Sequence, residues 1–198
     1  MGEKESYEQE LKTGAAPEER KEGSPAKKGG GFLEFLVILL VALALVFGFV
    51  RPFVLEAFYI PSESMVPTLE VGDRVFVNKF VYRFTEPQRG DIIVFRSVEG
   101  EGEDLIKRVI GAPGDRVAIR NGVLHVNGEP QQESYVRDGR PLEEGLYSPT
   151  KLSEGEVFAM GDNRANSRDS RFFGPVPIEN VEGEAFVIFW PPWGIGLL

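Results

Sequence analysis

The strongest pattern in the chain is a run from Phe32 to Val50, FLEFLVILLVALALVFGFV, in which nineteen residues carry a single charge, Glu34. As a helix rising about 1.5 Å per residue it spans roughly 28 Å, close to the ~30 Å hydrocarbon core of a bilayer, and so predicts one membrane crossing over 32–50. A cleaved secretory leader is the alternative, although the preceding region is long and acidic and the apolar run continues through its only A-x-A, Ala42 to Ala44. Residues 1–31 hold six basic and seven acidic side chains with almost no large apolar groups. They cannot bury enough surface to fold, which predicts a disordered tail. Beyond residue 50 the period changes. Short β-branched and aromatic runs, RVFVNKF, DIIVFR, LIKRVIG, RVAI, VLHV and EAFVIFW, are separated by Gly, Pro and Asp clusters with no long helical period. They predict a mainly β, antiparallel domain over 51–198. Asn121-Gly122 and Asn127-Gly128 flank VLHV at the spacing of tight hairpin turns, whose two central positions both need positive φ. The polar stretch 129–156 lacks periodicity and is expected to be a flexible excursion or a small subdomain.

Composition narrows the chemistry. A chain of 198 residues accommodates one sizeable domain plus an anchor. With 31 acidic against 22 basic residues and a formal charge of −9, it has no electrostatic footprint for nucleic acid. Cysteine is absent, which excludes disulfides, thiol nucleophiles and thiolate metal sites, and His125 is the single histidine. Flanking charge orients the anchor. Lys12, Arg20, Lys21, Lys27 and Lys28 lie within twenty residues before the apolar run, against Arg51 alone in the twenty after it. The tail is therefore expected in the cytoplasm and the β domain outside.

At the far edge of the apolar run, IPSESMVPTL at 60–69 places Ser62 and Ser64 two apart between Pro61 and Pro67. In extended backbone Phe58, Ile60 and Ser62 share a face, setting an apolar shelf beside a hydroxyl. Serines in such a place are ordinarily turn or capping groups. As a nucleophile, a serine needs a base. His125 sits in a four-residue strand between two turns without a GxSxG elbow, and reads as structural or surface. Lys107, in DLIKRVIGAPGD, lies inside an apolar strand pattern. It faces water in one reading. In the other it is desolvated, and burial lowers its ordinary pKa of about 10.4 toward neutrality. A third stretch, MGDNRANSRDSRFFG at 160–174, gathers two Asp, two Asn, three Arg and two Ser, enough for a hydrogen-bonded scaffold around a buried amine.

PSESMVPTL, IKRVIGAPGD and GDNRANSRDSRFFG, in this order behind an apolar anchor, together with RGDIIVF at 89–95 and the terminal FVIFWPP, closely resemble the bacterial type I signal peptidases. These are membrane-bound serine-lysine proteases of peptidase family S26. The resemblance implies an antiparallel-sheet, β-barrel-like catalytic domain behind a single N-terminal transmembrane helix. It implies Ser64 as nucleophile and Lys107 as general base. Ser62, with the backbone N–H of Ser64, then forms the oxyanion hole. Ser167 is expected to hydrogen-bond the lysine amine, and Asp169 and Arg171 to form a supporting ion pair. Ala165 stands where many members carry Asp, which puts one supporting contact in doubt.

The resemblance also implies cleavage after small residues of Ala-X-Ala type, with Phe58, Ile60, Met65, Leu69 and Ile106 lining shallow apolar pockets for an extended peptide. No metal or cofactor is required. The expected partners are signal peptides of exported preproteins and the lipid bilayer, in proximity to the secretion translocon, at the plasma membrane. Two other readings remain open: a non-catalytic relative acting as a chaperone in surface-fibre assembly, and a membrane-anchored structural β domain. The presence of both Ser64 and Lys107 speaks against the chaperone reading.

Overall fold

The computed structural model describes residues 31–50, 54–100, 102–136 and 149–198. The tail expected over 1–31, all but Gly31, and the middle of the expected excursion, 137–148, lie outside the described residues. The apolar run is α-helical from Phe32 to Leu45 and continues as a π-helix over Val46–Val50. None of the α-helical part is buried, so its apolar side chains project on every side. Among the described residues no helix is long and apolar enough to cross a membrane. The change of helix type at Val46 interrupts the uniform span expected from the sequence: the fourteen α-helical residues alone reach about 21 Å.

The β domain consists of strands β1 (Leu55–Tyr59), β2 (Arg74–Asn78), β3 (Ile92–Arg96), β4 (Asp104–Gly111), β5 (Arg116–Arg120), β6 (Val123–Val126), β7 (Glu129–Pro130), β8 (Thr150–Lys151), β9 (Glu156–Met160), β10 (Val176–Pro177), β11 (Val181–Trp190) and β12 (Gly196–Leu197). The larger sheet runs β1-β2-β11-β3-β4-β9-β10, with β12 on β11, and the smaller runs β7-β6-β5-β8. Among the described residues every strand pair is antiparallel. Both Asn-Gly hairpins form: Asn121 (φ 50°) with Gly122 (φ 75°) joins β5 to β6, and Asn127 (φ 54°) with Gly128 (φ 90°) joins β6 to β7. The stretch 129–156 supplies β7 and β8 to the smaller sheet.

Alternation along β3 explains why the centre of the larger sheet is dry. Ile92 and Val94 join one apolar cluster with Ile60, Met65, Leu69, Val75, Val77 and Ile106. Ile93 and Phe95, on the opposite face, join another with Val109, Val157, Ala159 and Val176. A third cluster, of Ile110, Val117, Leu124, Val126, Leu152, Phe158 and Met160, lies against the smaller sheet. A lysine on β4 therefore enters a sheet covered on both faces.

The sheet order is no simple meander, because β11 inserts between β2 and β3. Gly183 permits that insertion: a Cβ there would lie 2.4 Å from the Asn78 carbonyl oxygen and 2.9 Å from Val77 Cγ1. The obstacle is backbone and cannot swing aside. Gly183→Ala is expected to destabilise the domain by about 2–3 kcal/mol, seen as a lower urea midpoint at unchanged slope.

Candidate active site

The chain leaving β1 turns through residues 62–69, and two fully buried side chains, Met65 and Leu69, pin that turn into the core. Ser64 is fixed directly before them and is itself buried, whereas Ser62 is exposed. Their hydroxyls lie 3.4 Å apart. Lys107 stands opposite Ile93 in the β3–β4 register and is only 3% exposed. Its amine donates to Ser64 Oγ at 2.9 Å and to the Ile106 carbonyl at 2.8 Å. Ile60, Met65, Leu69 and Ile106, with the partly buried Phe58, belong to one cluster beside this pair.

Burial is the largest influence on the Lys107 amine and pulls its pKa down to about 8, against opposing attraction from Asp169 and then Asp162. Each of these carboxylates is already engaged by an arginine. Arg171 Nε and Nη2 reach Asp169 at 2.8 and 2.9 Å. Arg108 Nε and Nη2 reach Asp162 at 2.9 and 2.7 Å, and the Thr68 hydroxyl adds a bond at 2.6 Å. Two carboxylates lie near the amine without either serving as its ion-pair partner, so desolvation dominates. Near pH 7 about one lysine in ten is then neutral. The 2.9 Å contact suits both forms: an ammonium donates to Oγ, and a free amine accepts from the hydroxyl.

The loop after β9 closes the site from behind. Asp169 caps the short helix Ser170–Phe173 by accepting from the Arg171 backbone N–H and also accepts from Gly161 N–H at 3.0 Å. Asn163 reaches across, its backbone N–H donating to the Ser64 carbonyl at 3.0 Å and its side-chain amide to the Glu63 carbonyl at 3.1 Å. Gly161 has no room for a side chain: a Cβ would fall 2.3 Å from Ser167 Oγ and 2.5 Å from the Ser64 carbonyl oxygen. Ser167 comes close to this backbone, but the hydrogen bond expected from it to the lysine amine is not formed. Its hydroxyl is buried without a hydrogen-bond partner, while the amine is held by Ser64 and Ile106.

Other side chains in this cradle carried little signal in the sequence. Arg164 donates to the Gly161 carbonyl at 2.9 Å and grips Glu133 at 2.7 and 2.6 Å. The Tyr135 ring lies under Arg108, 4.3 Å from ring centre to guanidinium, and 6.0 Å from Arg164. Glu133 and Tyr135 come from the stretch without periodicity, so only the fold brings them here. Ala165 is exposed, its neighbours on either side supplying the contacts that are made. His125 lies in the smaller sheet, its ring nitrogen against the Val123 carbonyl at 3.0 Å. Among the described residues no group of three His, Asp or Glu side chains could hold a metal ion.

The family model for signal peptidase, peptidase S26, matches residues 32–190. A signal peptidase I of Leptolyngbya laminosa is 40% identical over 200 residues, covering 98% of this chain and 97% of that one. A probable signal peptidase I-1 of Synechocystis is 45% identical over 172 residues, covering 81% of this chain and 85% of that one. A signal peptidase I of Bacillus caldolyticus is 39% identical over 177 residues, covering 83% of this chain and 92% of that one.

Holding Lys107 near a pKa of 8 rather than 10.5 costs folding about 3 kcal/mol at neutral pH. Between these values the unfolded chain binds the extra proton, so stability rises with pH across that window and the cost is complete below about 8. Lys107→Met, which keeps the stem and removes the charge, is expected to stabilise the protein by about 1–3 kcal/mol at pH 7. In denaturant titrations across pH, this gain should fade toward pH 10.5.

Proposed function

The chain belongs to the signal peptidase family, peptidase S26, and on that footing we propose that it is a membrane-anchored serine endopeptidase that removes N-terminal signal peptides from exported preproteins. The observation that carries this reading is the 2.9 Å contact between the buried Lys107 amine and Ser64 Oγ. A hydroxyl facing a desolvated amine is a nucleophile with its base in place.

In the proposed reaction Ser64 Oγ attacks the scissile carbonyl while the neutral Lys107 amine takes its proton. The oxyanion is met by Ser64 N–H and the Ser62 hydroxyl, donors of a kind worth several kcal/mol in the transition state. The Lys107 ammonium then protonates the departing amine, leaving an acyl enzyme and a neutral lysine again. Water, deprotonated by that same amine, attacks the ester and frees Ser64. The Asp169–Arg171 pair supports a role for these two residues in positioning the loop behind the lysine, and Ser167 contributes by packing against Gly161 in that loop. No step calls for a metal or cofactor.

Substrate and location follow from the same residues. Phe58, Ile60, Met65, Leu69 and Ile106 offer an apolar wall suited to small side chains, consistent with an Ala-X-Ala preference. The apolar stretch 32–50 is the proposed anchor, with 1–31 on the cytoplasmic side and 51–198 outside, where cleavage sites emerge beside the translocon. Trp190 is half exposed and Trp193 is 87% exposed, close in sequence to the exposed Ile195 and Leu197. These aromatic and aliphatic groups suit a headgroup-level contact.

Ser64→Ala and Lys107→Met should each reduce preprotein cleavage in detergent by several orders of magnitude. Retained cleavage in either variant would refute the dyad, whereas absence of cleavage by the wild type would favour a non-catalytic role. For the wild type, kcat/KM should rise with pH and reach half its maximum near 8, the pKa of Lys107. In the full chain reconstituted in phospholipid vesicles, a lipid-borne quencher should quench the tryptophan fluorescence less in Trp193→Ala than in the wild type, and equal quenching would remove the proposed role of Trp193.

A further inference from the structure

Among the described residues, β1 and the first half of β4 each leave one edge in the larger sheet without a strand partner. β1 pairs with β2 on one side only. β4 pairs with β3 from Asp104 onward, but β9 joins its other edge only from Arg108. The open stretches of both strands border one cavity of about 440 Å³, with Glu56 and Phe58 contributed by β1 and Asp104 by β4. An extended peptide lying between two such edges finds backbone groups free on either side.

The wall of this cavity is charged. Glu56 pairs with Lys79 at 2.8 Å, Lys79 with Glu182 at 3.5 Å, and Glu182 with Arg96 at 2.8 Å. Asp104 stands opposite Arg96 in the strand register, yet among the described residues it takes no part in an ion pair. Three carboxylates, Glu56, Asp104 and Glu182, thus face two cations, Lys79 and Arg96, and the uncompensated charge is negative. Phe58 joins this cavity to the apolar cluster beside Ser64. On β4, Asp104 lies three residues from Lys107, roughly 10 Å at ~3.3 Å per residue. A peptide whose small side chains occupy the apolar wall next to Ser64 would carry its more N-terminal residues into the charged cavity.

We propose that this cavity is a subsite for a basic side chain of the bound peptide, located several residues before the scissile bond and recognised by Asp104. The inference rests on the peptidase reading and adds to it a preference that lies outside the small-residue pocket. An exposed charge pair supports only a modest effect, about two- to five-fold in kcat/KM, weakened by salt.

The test uses the full chain in detergent and one cleavable parent peptide, varied singly to Lys, Met or Glu at the third to sixth residues before the bond. Lysine and methionine share stem length, so their ratio isolates the charge. At one of these positions the wild type should cleave in the order Lys, Met, Glu, with the Lys-to-Met ratio about two- to five-fold. Asp104→Asn should bring that ratio to one while cleaving the Met peptide as before, and Asp104→Glu should restore it. A ratio unchanged in Asp104→Asn, or no preference at any position, overturns the subsite while leaving the peptidase reading intact. Failure to cleave even the parent peptide overturns both.

Discussion

A lysine amine held almost without water, within hydrogen-bonding distance of a serine hydroxyl, is the constraint that organises this domain. Charge is costly in such a place, and the cost falls at the amine itself. The sheet around Lys107 is apolar on both faces because β3 sends Ile92 and Val94 to one side and Ile93 and Phe95 to the other. The neighbouring carboxylates could have reversed the effect. They do not, because Asp169 is committed to Arg171 and Asp162 to Arg108. An ion pair made directly by Lys107 would have fixed its proton and left it useless as a base.

The cradle behind the pair shows how a short loop supports that arrangement. Gly161 lets backbone, Ser167 and the Ser64 carbonyl approach within the space a methyl group would fill. Asp169 holds the same glycine from one side and Arg164 from the other. Through Glu133, Arg164 ties this loop to the chain leaving β7, and through Tyr135 that chain also covers Arg108. A stretch outside the recognisable motifs thereby becomes part of the packing that keeps the site in register.

The sequence exposed these features unevenly, and the reasons are local or non-local in origin. Asn-Gly turns are decided within four residues, and both hairpins were readable from their letters. Ser64 and Lys107 could be paired only through their resemblance to a known set of motifs, since their 43-residue separation carries no periodic signal. The placement of β11 between β2 and β3 depends on side chains meeting across more than 80 residues, which no local pattern records. The apolar run from 32 to 50 was legible as apolar, but its change from α- to π-helix at Val46 was not, because composition does not specify hydrogen-bond register. Ser167 marks a further limit: the family resemblance implied a hydrogen bond from it to the amine, whereas its hydroxyl is buried without a hydrogen-bond partner.

The protonation of Lys107 can be observed directly by NMR titration of a chain carrying isotope-labelled lysine, with Lys107→Met identifying the resonance. A midpoint near 8, set by burial, is the predicted result. A midpoint near the ordinary lysine value of about 10.4 would mean that the amine is solvated and charged at neutral pH, and would contradict its proposed role as the base for Ser64.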